Sequence, residues 1–100
     1  MIKHIVAWRF KAEALGSSKA ENLVRAKSAL EALRSTVLSV RHLEVGLDVG
    51  VDHNAWDIVL YSEFDDRDGL LAYQVHPEHM KVAQLIGEMR ESRAAVDYEV

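Results

Sequence analysis

Strand-like and helix-like patterns alternate along this chain of 100 residues in an order that few folds accommodate. Residues 2–10 form the first pattern, whose period of two places its bulkiest side chains on one face: His4, Val6, Trp8 and Phe10. Ser18 and Glu21 then have the spacing of a capping box, which predicts a helix from about Lys19 to Arg34. The apolar stripe predicted for this helix comprises Leu23, Val24, Ala26, Leu30 and Leu33.

Two further strands are predicted after this helix, at residues 40–49 and 56–64, because apolar and polar side chains alternate in both. Residues 50–54 between them are rich in turn-forming types, so we expect the two strands to form a hairpin. The acidic segment 65–68 then suits a helix N-terminus, and a short helix is predicted over Arg67–Tyr73.

The single proline, Pro77, divides the second helical region. The residue before a proline is disfavoured in the helical conformation, and proline itself suits the first position of a helix. A new helix is therefore predicted from Pro77 to about Arg90, with an apolar face made of Met80, Ala83, Leu85, Ile86 and Met89. Alternation over 93–100 predicts a last strand.

The resulting order, β-α-β-β-α-β, predicts one α+β domain over residues 1–100 with a ferredoxin-like fold. This fold has a four-stranded antiparallel sheet with helices on one face. The predicted parity leaves an apolar set on the other face: Ile5, Ala7, Val59 and Tyr61. Because a monomer rarely exposes such a surface, we expect a symmetric homodimer that covers it.

Composition excludes several classes of function. The chain has no cysteine, so a disulfide framework, a thiolate metal site and a cysteine nucleophile are excluded, and a reducing, cytoplasmic location is expected. The net charge is −4, with a positive excess confined to residues 1–34, and no basic run suggests binding to nucleic acid. The apolar run near the N-terminus is too short for a membrane span, so no membrane partner is expected.

Several segments together resemble the stress-responsive dimeric α/β-barrel (Dabb) family. They are the opening residues 1–6, residues 43–46 and 62–64, the Tyr73-x-x-His76-Pro77-x-His79 motif and the closing residues 92–98. The resemblance covers nearly the whole chain. It implies a ferredoxin-like subunit whose sheet packs against the sheet of a second copy to form a barrel.

A plant member of this family, olivetolic acid cyclase, closes a linear polyketide with a histidine base and a tyrosine. The resemblance places His79 at the position of that base, Tyr73 at that of the tyrosine and His4 at that of a further pocket histidine. Ile58 occupies the position of another histidine of that enzyme, so one polar group is missing here. Fold alone does not transfer the reaction.

Each candidate residue also has a purely structural interpretation. His79 and Tyr73 are either an acid–base pair or packing residues, and His4 either orients a substrate carbonyl or is a buried neutral imidazole. His76 is interpreted first as a cap of the helix that begins at Pro77. A zinc site made by three of the histidines lacks the usual helical spacing, and neither a metal nor an organic cofactor is expected.

Two functional hypotheses follow. In the first, the protein is a homodimer with a pocket between sheet and helices for a small apolar or aromatic molecule; besides the three candidates above, the pocket residues are Val6, Trp8, Ile58, Leu60 and His76. In the second, the protein is a cofactor-free enzyme of the cyclase or isomerase type, with His79 as base, Tyr73 as hydrogen-bond donor and His4 as orienting group. Whether those three side chains converge on one cavity distinguishes the two hypotheses.

Overall fold

The computed structural model describes residues 1–100 and has the predicted ferredoxin-like architecture. Its elements, in chain order, are β1 (Ile2–Phe10), β2 (Glu13–Ala14), β3 (Ser17–Ser18), α1 (Lys19–Thr36), β4 (His42–Leu47), β5 (Ile58–Phe64), α2 (Arg67–Gln74), α3 (Pro77–Met89) and β6 (Arg90–Glu99). The main order of strands and helices, including the break before Pro77, is therefore confirmed.

Four strands form one antiparallel sheet in the order β4-β5-β1-β6. The first and last strands of the chain are neighbours in this sheet, so residues far apart in sequence become direct cross-strand partners. His4 of β1 lies opposite Ser62 of β5 on one side and opposite Asp97 of β6 on the other. This register determines which polar groups meet at the centre of the sheet.

Each helix begins with a side chain that accepts a hydrogen bond from a free backbone amide, as helix starts require. At α1 the predicted capping box is formed: the Ser18 side chain accepts from the Glu21 amide, and Glu21 accepts from the Ser18 amide. Asp66 caps α2 by accepting from the amide of Gly69. At α3 the imidazole of His76 accepts from the amide of Glu78, which confirms the capping role predicted for His76.

The hydrophobic core lies between one face of the sheet and the helices. Along β1 buried and half-buried residues alternate, and the buried set is the predicted one, with His4 as its polar member. Fully buried partners from other elements include Leu43, Phe64, Tyr73 and Met89. Burial of each large apolar side chain contributes about 1.5–3 kcal/mol to folding, so this layer holds the helices on the sheet.

The structure corrects the positions of two large side chains in the predicted helical stripes. Val24 was assigned to the apolar stripe of α1 but is 61% exposed, whereas Asn22 is buried and donates its side-chain amide to the carbonyl of Ala14. Met80 was assigned to the apolar face of α3 but is 57% exposed. Both residues lie at the margins of their stripes, where helical periodicity alone does not tell which side the neighbouring element covers.

Strand ends also differ from the predictions. Strand β4 is shorter than the predicted 40–49, β5 begins two residues after residue 56, and β6 begins at Arg90 rather than at residue 93. The small hairpin β2–β3 was not predicted; its turn residues Leu15 and Gly16 both have positive φ, as a two-residue hairpin turn requires. Alternation of side chains continues beyond the last paired residue, so it locates a strand better than it locates the ends of that strand.

The second face of the sheet carries no helix. The expected apolar side chains lie there, and the register adds residues of β6 opposite them, giving one set: Ile5, Ala7, Val59, Tyr61, Val96 and Tyr98. We call this set the open face. Val59 and Val96 are 39% and 61% exposed, so the open face leaves apolar surface in contact with water in a single chain.

Candidate functional site

A cavity of about 250 Å³ lies between the sheet and the helices. Its walls come from β1, β5, β6 and all three helices, and eight of the twelve residues that line it are hydrophobic. The lining residues are His4, Val6, Trp8, Leu30, Leu60, Tyr73, His79, Val82, Ala83, Ile86, Arg90 and Arg93. We call this space the sheet–helix cavity.

His4 forms a pair with a carboxylate beside the sheet–helix cavity. Its Nδ1 atom lies within hydrogen-bond distance of Oδ1 of Asp97, its cross-strand partner on β6. The His4 side chain is almost completely buried, whereas Asp97 remains partly exposed. Because a carboxylate only accepts hydrogen bonds, Nδ1 of His4 carries the proton and Nε2 is left as an acceptor.

Tyr73, which lines the same cavity, carries a hydroxyl without a partner. The residue is completely buried on α2, and no group of the protein hydrogen-bonds to its hydroxyl. Burial raises the pKa of Tyr73 well above its ordinary value of 10.0, so the hydroxyl keeps its proton at neutral pH. A buried, protonated and unpaired hydroxyl on a residue that lines a cavity is a candidate donor to a bound molecule.

His79 also lines the cavity and packs against Tyr73 with its ring tilted. The ring centroids of Tyr73 and His79 are 4.3 Å apart, and those of His4 and Tyr73 are 6.1 Å apart. The Nδ1 atom of His79 lies 3.1 Å from the carbonyl oxygen of Gln74, to which it donates. As in His4, this leaves Nε2 as the free acceptor.

The structure therefore brings together the three residues predicted as a catalytic group, although Tyr73 and His79 lie on opposite sides of the helix break. Among the predicted pocket residues, Val6, Trp8 and Leu60 line the sheet–helix cavity, but Ile58 and His76 do not. Ile58 is buried in the core at the start of β5. The Nδ1 atom of His76 accepts a hydrogen bond from the amide of Glu78. The ring therefore caps α3 and does not line the pocket as predicted.

Three polar residues at or beside the cavity were not predicted as site residues. Asp97 is the carboxylate bound to His4, and Arg90 and Arg93 of β6 line the cavity. The sequence signal for Asp97 was weak, because only the β1–β6 register brings it opposite His4. Both arginines lie at the start of β6; Arg90 was expected at the end of the preceding helix, and Arg93 at the first position of the last strand.

The histidines and carboxylates do not form a metal-ligand cluster: no group of three such residues has the proximity to hold an ion. His76 in particular is committed to its capping bond rather than joined to His4 and His79. None of the three helices combines the length and the apolar character that crossing a bilayer requires.

We expect the imidazole of His79 to titrate below its ordinary pKa of 6.5. Burial is the main cause, and the nearby positive charge of Arg93 adds to it, against the opposing hydrogen bond to Gln74. Because the folded protein disfavours the protonated ring, protonation of His79 destabilises the fold. The free energy of unfolding keeps the full contribution of neutral His79 above pH 6.5 and loses it as pH falls through the folded pKa. NMR titration of the His79 ring protons measures this pKa.

Arg93→Gln is the matched variant for this titration, since it removes one cause of the lowered pKa and leaves the burial of the ring. The pKa of His79 should then move upward, towards its ordinary value. A His79 pKa at or above 6.5 in the wild-type protein would contradict the assigned burial effect.

The chain belongs to the stress responsive A/B barrel domain (Dabb) family, whose model matches residues 2–100. This match confirms the family to which the sequence was similar. No curated protein matches the chain by sequence.

Solved structures share the whole fold. A dimeric protein of unknown function with a ferredoxin-like fold from Bacteroides fragilis is 38% identical, with a TM-score of 0.87 over 99% of this chain and 95% of that one. A dimeric ferredoxin-like protein from Thermobifida fusca is 25% identical, with a TM-score of 0.86 over 99% and 90%. A Dabb family protein from Mesorhizobium loti is 27% identical, with a TM-score of 0.71 over 99% and 95%.

Proposed function

We propose that this protein is a homodimer whose sheet–helix cavity binds a small, largely apolar molecule with a carbonyl group. The observation that carries this proposal is the buried hydroxyl of Tyr73, which has no hydrogen-bond partner and belongs to a residue that lines the cavity. An unpaired buried polar group costs about 1–3 kcal/mol, and a carbonyl oxygen accepting from Tyr73 would recover that cost. The mostly apolar walls would accommodate the rest of the molecule, including an aromatic ring.

The homodimer rests on two supports. The open face leaves apolar side chains exposed in a single chain, and burial of such a face favours association. The related proteins from Bacteroides fragilis and Thermobifida fusca are described as dimeric. Two copies related by a two-fold axis would cover both open faces at once, because each copy presents the same surface.

Binding of 4-phenylbutan-2-one, a small ketone with one aromatic ring, tests the proposed pocket. We expect the ketone to shift the NMR signals of Trp8, Tyr73 and His79, and Ala83→Trp to abolish binding by filling the cavity that Ala83 lines. Ala72→Trp is the matched control, since Ala72 is an exposed helical alanine that does not line the cavity. Equal binding by both variants would show that the ketone binds elsewhere.

A second candidate function, cofactor-free proton transfer, is favoured by the two imidazoles at the cavity. His79 would remove a proton from the carbon next to a carbonyl, and Tyr73 would donate to the enolate oxygen that develops. Asp97 would hold the His4 ring in position to orient the substrate, and the charge of the carboxylate would stabilise a protonated His4 ring. These positions are similar to those of olivetolic acid cyclase, and loss of proton exchange in His79→Ala tests the assignment.

A further inference from the structure

Arg90 and Arg93 are the unusual members of the sheet–helix cavity, because they bring unpaired positive charge to a largely apolar space. The guanidinium groups of four of the seven arginines donate hydrogen bonds to other groups of the protein: Arg9, Arg34, Arg41 and Arg67. Arg25, Arg90 and Arg93 make no such bond, and two of these three line the cavity. The free guanidinium groups are therefore concentrated at the proposed binding site.

The charge of the cavity differs from that of the chain. The chain has 16 acidic and 12 basic side chains and a net charge of −4. Yet no aspartate or glutamate lines the cavity, whereas two arginines and two histidines do. Asp97 is bound to His4 and does not line the cavity. An anion entering this space meets the guanidinium donors of Arg90 and Arg93 without a competing carboxylate on the walls.

The position of the two arginines suits them to bind the outer end of a ligand in the cavity. Both belong to β6, one of the two edge strands of the sheet, and both are exposed, whereas His4 and Tyr73 are buried. A molecule with its carbonyl towards Tyr73 would thus present its other polar end to Arg90 and Arg93. Guanidinium groups bind carboxylates with two parallel hydrogen bonds, which neither histidine nor lysine reproduces.

We infer that the ligand of the sheet–helix cavity is a small apolar carboxylate whose anionic group is bound by Arg90 and Arg93. This inference rests on the proposed binding function and specifies its ligand class. It also assigns Arg90 and Arg93 as specificity-determining residues, since they select an anionic ligand over a neutral one of the same shape.

Isothermal titration of two matched probes tests the assignment. The carboxylate 4-oxo-4-phenylbutanoate and the ketone 1-phenylpentane-1,4-dione both carry a benzoyl carbonyl for Tyr73; at the other end a carboxylate oxygen of the first replaces a methyl group of the second, so they differ mainly in charge. We expect the wild-type protein to bind the carboxylate about tenfold more tightly than the ketone, because charged hydrogen bonds are stronger than neutral ones. Added salt should reduce this preference, because both arginines are exposed.

Variants test the contribution of the two arginines separately from that of the other cavity residues. The double variant Arg90→Gln with Arg93→Gln should bind the ketone as the wild type does and lose the preference for the carboxylate. Arg25→Gln is the control, since Arg25 is also exposed and unpaired but lies on α1 and does not line the cavity. Circular dichroism confirms that each variant is folded.

The outcomes distinguish the two proposals. If the ketone binds and the carboxylate binds no better, or if the preference survives in the double variant, the role of the arginines is overturned and the pocket stands. If neither probe binds to the folded wild-type protein, both the pocket and the arginine site are rejected. A preference that disappears in the double variant and persists in Arg25→Gln supports the inference.

Discussion

Val96→Lys is expected to convert the proposed dimer into single chains of 11.3 kDa. Val96 lies on β6 directly opposite Ile5 and is part of the open face. In a single chain it is 61% exposed, so a lysine there meets water and costs the isolated fold little. In the dimer, two copies of the lysine would be buried among apolar side chains, where an unpaired charge is strongly unfavourable.

Val24→Lys provides a closely matched control for this experiment. Val24 is also 61% exposed, but it lies on α1 and not on the open face. The change in size, charge and exposure is therefore the same, and only the surface differs. Light scattering should give the mass of a dimer for the wild type and Val24→Lys, and a lower mass for Val96→Lys.

The stability of the variant chain adds a second readout. If the fold needs its partner, Val96→Lys will lose structure as well as mass, and the unfolding midpoint of the wild type will rise with protein concentration. Dimers that persist in Val96→Lys and dissociate in Val24→Lys would place the interface on the helices instead of the open face.

His79→Ala is expected to reduce proton exchange at the carbon next to a bound carbonyl by about 10²-fold or more, the usual contribution of a general base. The measurement follows replacement of the α-protons of 4-phenylbutan-2-one by deuterium in heavy water. In this exchange the C–H proton passes to Nε2 of His79, and a deuteron from solvent later returns to the same carbon. The readout needs no knowledge of the natural substrate and reports only the proposed step.

Tyr73→Phe tests the role of the hydrogen-bond donor separately from that of the base. The variant keeps the ring that packs against Phe64 and His79 and removes only the hydroxyl, which has no partner in the protein. We expect the free energy of unfolding to change little and the exchange rate to fall, because the enolate oxygen loses its hydrogen bond. A large loss of stability would instead indicate a structural hydroxyl.

Asp97→Asn examines the positioning of His4. An asparagine carbonyl can still accept from Nδ1, but it carries no charge to stabilise a protonated ring. A smaller decrease in exchange than in His79→Ala is therefore expected. His53→Ala, in an exposed turn, is the control for removing an imidazole. Exchange that is unchanged in His79→Ala and abolished in His4→Ala would move the base to His4.

Local sequence patterns account for much of the fold because they depend on neighbouring residues. The capping box of Ser18 and Glu21 and the cap provided by His76 are contacts within three residues, and both form as predicted. The open face likewise follows from the period of two along β1 and β5. Periodicity did not tell which margin of a helical stripe is covered, so Val24 and Met80 were placed in the core although they are exposed.

The candidate site depends on tertiary contacts that local sequence patterns do not specify. Tyr73 and His79 were identified from a motif, but only the turn between α2 and α3 brings their rings to 4.3 Å. Ile58 lies on the predicted face of β5 and still does not line the cavity, because strand parity gives a side chain its face and not its position along the sheet. The unpaired state of the Tyr73 hydroxyl depends on every group around it.

The sequence by itself determined the order of the elements, the break at Pro77, the open apolar face and the family, since these depend on spacing along the chain. Only the tertiary structure decided that Asp97 binds His4, which is 93 residues away, and that Arg90 and Arg93 line the same cavity. The physical reason is the pairing of the first and last strands in one sheet. That register is determined by the packing of the whole domain, and no local pattern specifies it.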